Sequence, residues 1–261
     1  MKNLEDLTFI IPIYIDTDDR LNNTITTLGY LNHNFKTNVI IHEMIDDVSN
    51  IKLNNYENLS INHITEYRKG NNYHRTRQLN EMLDLTNTSV VVNYDIDVIL
   101  PIESYVKSYN MIKNNEVDVV YPYGLGNWQK RVYQSFNREK FNEEYNINLI
   151  NNNLDIWSSA VGHCFFIRTD DYKKIGGENE KFIAYGPEDV ERFERFKKLN
   201  LRIGRINEWV YHFEHKRREF SNSKNPSFID NEKLFEYLKS LDKYETENYY
   251  KNIDYIKKYK F

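Results

Sequence analysis

A single cysteine, Cys164, leaves this chain of 261 residues without a disulfide framework to staple its fold. Charge of one sign is also scarce. The formal net charge of −4 gives no basic footprint for general nucleic-acid binding. No apolar run is long enough to cross a bilayer. The opening MKNLEDLTFIIPIYID does not read as a signal peptide, because its apolar stretch is short and acids flank it. No repeat recurs at a solenoid period. With these features missing, the expectation is a soluble, cytoplasmic protein with a core built by packing alone. The basic, aromatic end KNIDYIKKYKF reads as a solvated helix end, with any membrane contact at most peripheral.

What is present suits a folded α/β chain. Hydrophobic residues make up 40% and aromatic residues 15%, mostly tyrosine, which excludes a disordered chain. Tyrosine suits sugar surfaces, because its ring covers apolar C–H groups while its hydroxyl bonds outward. A compositional bias toward Tyr, Asn, Ile and Lys accounts for the same count equally well. Short apolar runs predict strands at 7–13, 39–45, 60–64, 89–95, 118–121 and 161–169, with two more in LRIGRI and WVYHF. Apolar spacing predicts helices over 19–32, 72–85, 101–114, 187–199 and 231–241. Their alternation predicts an α/β fold with a mostly parallel central sheet flanked by helices. The chain divides into a domain over 1–240 and a C-terminal helical tail over 241–261. Residues 122–157 read as an irregular, Gly- and Asn-rich stretch whose Gly124, Gly126 and Trp128 suit a segment closing over a ligand.

Three constellations carry chemistry. In VVNYDID an apolar run switches to two acids, Asp95 and Asp97. In an extended segment such i, i+2 side chains point the same way, and the C-terminal ends of strands are where α/β sheets bind ligands. Two close carboxylates call for a cation, and hard oxygen ligands suit Mg²⁺ or Mn²⁺; a solvated turn is the plainer alternative. WVYHFEHKR places His212 and His215 three apart, and imidazole nitrogen moves preference toward Mn²⁺, unless one histidine only packs. HFEH is not the zinc-protease arrangement H-E-x-x-H. YGPED puts Glu188 and Asp189 at a helix start, where they either answer the macrodipole or provide a general base.

The order D-x-D, aromatic-G-x-E-D, H-x-x-H resembles metal-dependent glycosyltransferases of the GT-A fold. The resemblance is nearest to the β-1,4-galactosyltransferase-like enzymes and bacterial family 2 transferases. YHRTRQLNEML (73–83), GHCFFIRTDDYKKIGG and the opening IIPIYID extend it over residues 7 to 240. It implies a Rossmann-like GT-A domain that moves a hexose or N-acetylhexosamine from a UDP-sugar to an acceptor hydroxyl with inversion. It implies Asp97 and His215 as ligands of Mn²⁺ (or Mg²⁺), with His212 a further candidate. Asp189 is then the catalytic base, and Glu188 holds substrate hydroxyls. Pro12, Tyr14 and Asp16 border the base, Arg75 faces the nucleotide, Asp95 contacts the ribose or the metal's water, and Tyr185 stacks on a sugar. The acceptor is a glycan, a lipid-linked molecule or a protein. Pro187 and Tyr185 depart from the family's W-G-G-E-D. Glu43 either touches the base or is merely a strand acid.

Three rivals stand beside this reading. A nucleotidyltransferase would want a Gly-rich basic loop after its first strand, and IPIYIDTDDR is acidic and lacks glycine. A non-catalytic nucleotide- or sugar-binding protein could keep the fold. A retaining transferase could keep D-x-D and a late histidine.

Overall fold

The computed structural model describes residues 1–49, 51–53, 56–68, 73–150, 154–216 and 222–253. The first half runs β1 (Lys2–Tyr14), α1 (Asp18–Asn34), β2 (Phe35–Ile45), β3 (Leu59–Tyr67), α2 (Arg75–Asp84), β4 (Val90–Tyr94), β5 (Val98–Ile99), α3 (Ile102–Lys113) and β6 (Val119–Tyr121). Then come β7 (Gly126–Val132), α4 (Arg138–Glu144), a 3₁₀ turn, β8 (Asp155–Ser159), β9 (Cys164–Arg168) and α5 (Thr169–Lys174). The chain ends with α6 (Glu188–Lys198), β10 (Ile203–Arg205), β11 (Val210–Phe213), α7 (Phe228–Ser240) and α8 (Lys243–Asn252).

Seven strands form the main sheet in the order β10-β6-β9-β4-β1-β2-β3. All neighbours are parallel except β9, which runs antiparallel to both β4 and β6. The sheet is therefore mostly parallel and flanked by helices, as the alternation of elements predicted. Central strands buried on both faces read as unbroken apolar runs, and Phe9, Ile10, Ile11, Val90, Val91 and Val92 are fully buried. Edge strand β3 alternates exposed and half-buried residues instead. Helix starts follow local rules. Thr17 caps α1 by accepting from the Arg20 amide at 3.3 Å, and Asp18 and Asp19 occupy its first turn. Asp242 and Glu245 form a capping box on α8.

Two expectations need correction. Residues 122–157 are not irregular: they supply β7, α4 and β8. With β5 and β11 these strands make a second sheet, ordered β5-β11-β7-β8. Aromatic residues on both faces hid the period-2 pattern. Trp128 packs on Trp209 across one face, while Trp157 lies half exposed on the other. Second, Asp95–Asp97 is not extended. β4 ends at Tyr94, and the Val98 amide closes a turn on the Asp95 carbonyl at 3.4 Å, so the i, i+2 rule does not govern the two acids.

The C-terminal helices α7 and α8 both pack on α6. The basic end of the chain from residue 254 onward lies outside the described residues. Among the described residues, no helix is long and apolar enough to cross a membrane.

Candidate active site

A cleft of about 380 Å³ opens at the C-terminal ends of β1 and β4. Crossover connections leave helix and loop starts there, which is where open α/β sheets bind ligands. It gathers Pro12, Tyr14, Asp16, Arg75, Asp95, Asp97, Tyr185, Glu188, Asp189, His212 and His215. Glu43 is not among the lining residues; it is buried and pairs with His63 of β3 at 2.9 Å.

One wall is a cluster of metal-ligand types. The Phe213 amide donates to the Asp97 carbonyl at 2.8 Å, and β5 pairs antiparallel with β11, with Val98 opposite His212. These bonds bring the turn after β4 against a strand more than a hundred residues later. His215 Nε2 then lies 2.9 Å from Asp97 Oδ2, and His212 Nε2 lies 3.7 Å from it. One donor atom from each residue falls within 4.8 Å of the others. One carboxylate and two imidazoles fit a divalent ion, and leave positions open for substrate oxygens. Burial opposes the charge on Asp97, but His212, His215 and Arg20 outweigh it and hold the carboxyl far below its ordinary range. Burial likewise disfavours the His212 imidazolium, but Asp97 and Glu214 raise its pKa.

Asp95 faces elsewhere. Its Oδ1 accepts from Arg75 Nη2 at 2.6 Å, and its amide donates to the His163 carbonyl at 2.8 Å. Burial raises its pKa, partly offset by Arg75. Arg75 opens α2 and sits between two acids, with Nη1 3.9 Å from Asp189 Oδ1.

Across the cleft, the N-terminus of α6 presents Glu188 and Asp189. Asp189 Oδ1 accepts from Arg192 Nη2 at 2.6 Å, one helical turn on. Burial opposes its ionisation, but Arg192 and Arg75 lower its pKa overall. Gly162 allows this approach: a Cβ there would lie 3.2 Å from Asp189 Oδ2. Glu188 has the opposite fate. Burial and the neighbouring Asp189 charge push it up to about 8, and its buried Oε2 has no hydrogen-bond partner among the described residues. Burial and neighbouring charge thus push these two adjacent carboxyls in opposite directions.

The remaining wall is aromatic. Tyr14 stacks beside Tyr73 at 6.3 Å, and its hydroxyl donates to Asp46 at 2.7 Å. Tyr185 stacks on Phe228 of α7 at 5.8 Å.

Five supporting residues escaped the sequence reading. Arg192 and Glu178 form a fully buried pair at 2.6 Å, and Asn93 of β4 donates to the same Glu178 oxygen at 2.8 Å. The pair sets the position of Asp189 from behind. Its one sequence signal is an arginine three residues after the acid. Asn231 of α7 clamps the loop before α6, donating to the Ile183 and Tyr185 carbonyls at 2.8 and 2.9 Å. No local pattern announces it. His163 lines the cleft with a left-handed φ of 60°, and its Nε2 lies 3.1 Å from Gln129 Oε1. Burial, then the His212 charge, pushes its pKa down to about 4. A left-handed histidine leaves no sequence trace.

The fold is similar to that of the GT-A-type glycosyltransferases. The crystal structure of S. aureus TarS 1–349 in complex with UDP-GlcNAc aligns with a TM-score of 0.56 over 92% of this chain and 69% of that one. Identity is 12%, so the likeness is one of fold. More particularly, residues 146–216 match the model for the N-terminal domain of galactosyltransferase. That segment carries Glu188, Asp189, His212 and His215. No curated protein sequence matches the chain. Both likenesses are to glycosyltransferases.

Proposed function

We propose that this protein transfers a hexose or N-acetylhexosamine from a UDP-sugar to an acceptor hydroxyl, with inversion and with Mn²⁺ (or Mg²⁺) as cofactor. One observation carries the reading. The Asp97–His212–His215 cluster and the Glu188–Asp189 pair line the same cleft, with Arg75 reaching toward the second of them.

Asp97, His212 and His215 would hold the ion, which when bound supplies Lewis-acid neutralisation of charge on the leaving diphosphate. Tyr14, Tyr73 and Pro12 offer flat and apolar surface to the base, with Asp16 at its border. Asp95, held by Arg75, is an acceptor for the ribose hydroxyls or for metal-bound water. Arg75 adds a fixed positive charge next to the reacting groups. Asp189 is ionised at neutral pH and takes the proton of the acceptor hydroxyl as its oxygen bonds to the anomeric carbon. The diphosphate leaves from the opposite face with its bonding electrons, which inverts the centre. Glu188 keeps its proton at neutral pH, and donates it in a hydrogen bond to a sugar hydroxyl. Its orphan oxygen accepts from another. Tyr185, backed by Phe228, walls the sugar.

The acceptor is a glycan, a lipid-linked molecule or a protein, and the setting we assign is cytoplasmic. The deciding measurement is thermal stability with UDP, GDP and CMP, each with and without Mn²⁺. A UDP shift that needs Mn²⁺ and disappears in Asp97→Ala supports the reading; no shift with any nucleotide overturns it. Anomeric NMR of the first-formed product then separates inversion from retention.

A further inference from the structure

Beyond His212, the second sheet carries a surface that the proposed mechanism does not use. Register places Gln129 and Arg131 of β7 on one face together with His212 of β11 and with Asp155 and Trp157 of β8. Trp128, Lys130, Tyr211 and Ile156 alternate onto the other face. The shared face is continuous with the cleft at two points: His212 lines it directly, and Gln129 lies 3.1 Å from the lining residue His163.

At the outer end of this face Trp157 is 51% exposed. It is nevertheless held in place. The Arg131 guanidinium lies 4.1 Å from the ring centroid, and the same guanidinium donates twice to Glu214, at 2.6 and 2.7 Å. Glu214 Oε1 in turn lies 3.3 Å from His212 Nδ1. Tyr133 sits beside Arg131, and its hydroxyl donates to Asp155 on the edge strand. A continuous chain of contacts therefore runs from the candidate metal ligand His212 to an open indole.

We propose that Trp157, seated on Arg131 and flanked by Tyr133 and Asp155, is the acceptor subsite and takes a pyranose ring of a saccharide acceptor. The inference rests on the transferase reading and deepens it. A cleft of about 380 Å³ is the size that one drug-sized ligand fills, so a second substrate must lie along its rim. This face leads out of the cleft past His212 and carries an exposed aromatic ring held in place by Arg131. Its chemistry is that of a sugar platform: one flat apolar surface for the C–H face, ringed by a carboxylate, a phenol and a guanidinium for the hydroxyls. A lipid chain would instead want contiguous apolar surface, which those charges interrupt.

The test is binding, read by calorimetry on the full chain with UDP and Mn²⁺ present. The probes are methyl β-pyranosides of glucose, galactose and N-acetylglucosamine and the corresponding β-linked disaccharides. Wild type should bind at least one saturably. Trp157→Ala should bind it roughly tenfold more weakly or not at all, and Trp157→Phe should fall between, as expected for loss and partial retention of a stacking ring. The affinity of each variant for UDP with Mn²⁺ reports that the fold and the donor site are intact. Equal saccharide affinity in wild type and Trp157→Ala overturns the platform. So does a wild type that binds UDP but no saccharide of the panel. A wild type that fails to bind UDP with Mn²⁺ fails the transferase reading itself, a separate result.

Discussion

Arg75 and Asp95 are joined by an ion pair of 2.6 Å, and that bond separates Asp95 from Asp97, the acid two residues on. Asp97 turns to His215 and His212 instead. The two carboxylates therefore have different partners despite their shared motif.

Substitutions should separate them. Asp97→Ala and His215→Ala are expected to weaken Mn²⁺ binding by more than about a hundredfold, since loss of even an outer-shell partner costs 10–100-fold. Asp95→Asn should weaken it by less than about tenfold and act mainly on UDP affinity. Calorimetric titration of Mn²⁺ with and without UDP reads both. Equal losses of Mn²⁺ in Asp95→Asn and Asp97→Ala would show that the acids share one ion.

Glu188 makes a prediction in pH. Its pKa rises from 4.5 to about 8 on folding. Below 4.5 both states hold the proton. Between 4.5 and about 8 the native state binds more protons than the unfolded chain, so this group lowers stability as pH rises across that window. Glu188→Gln removes this titration. Its stability relative to wild type should climb from pH 4.5 to pH 8 and then level, in urea titrations at stepped pH. If transfer needs Glu188 neutral, the alkaline limb of kcat near pH 8 should also vanish in that variant. A limb that persists unchanged assigns it to another group.

Asp189→Asn keeps the shape of the base and removes its charge. We expect kcat to fall by roughly 10²–10⁴-fold, the range for a lost general base, with UDP and Mn²⁺ affinity nearly unchanged. Retention of kcat would direct the search for the base elsewhere in the cleft.

Glu178 tests the support behind Asp189. It is fully buried, and one oxygen accepts from Arg192 at 2.6 Å, from Asn93 at 2.8 Å and from the Tyr172 hydroxyl. Glu178→Ala strands the Arg192 charge in the core and is expected to cost about 3–5 kcal/mol in urea unfolding. Glu178→Gln keeps the acceptor oxygen and should cost less. A loss of under about 1 kcal/mol for the alanine variant would mean that Arg192 finds another partner.

Much of this protein was legible in order along its chain. Buried parallel strands read as apolar runs because both faces are covered, so the runs at Phe9–Ile11 and Val90–Val92 needed no partner to be recognised. The helix over 101–114 was legible from its apolar spacing and is α3 (Ile102–Lys113). The side chains that line the cleft were legible as types at element ends: acids after Tyr94, acids opening α6, histidines on and after β11. Strands β7 and β8 were not, because aromatic residues occupy both faces of a half-exposed sheet and erase the alternation. Nor were the pairings. Which acid meets Arg75 and which meets a histidine depends on a turn after β4 and on bonds to β11, far along the chain. The same long-range packing decides which of two adjacent carboxyls has its pKa raised, Glu188, and which has it lowered, Asp189. Sequence sets what each group can donate, accept or carry, whereas burial and the charges brought beside it exist only once the chain has folded.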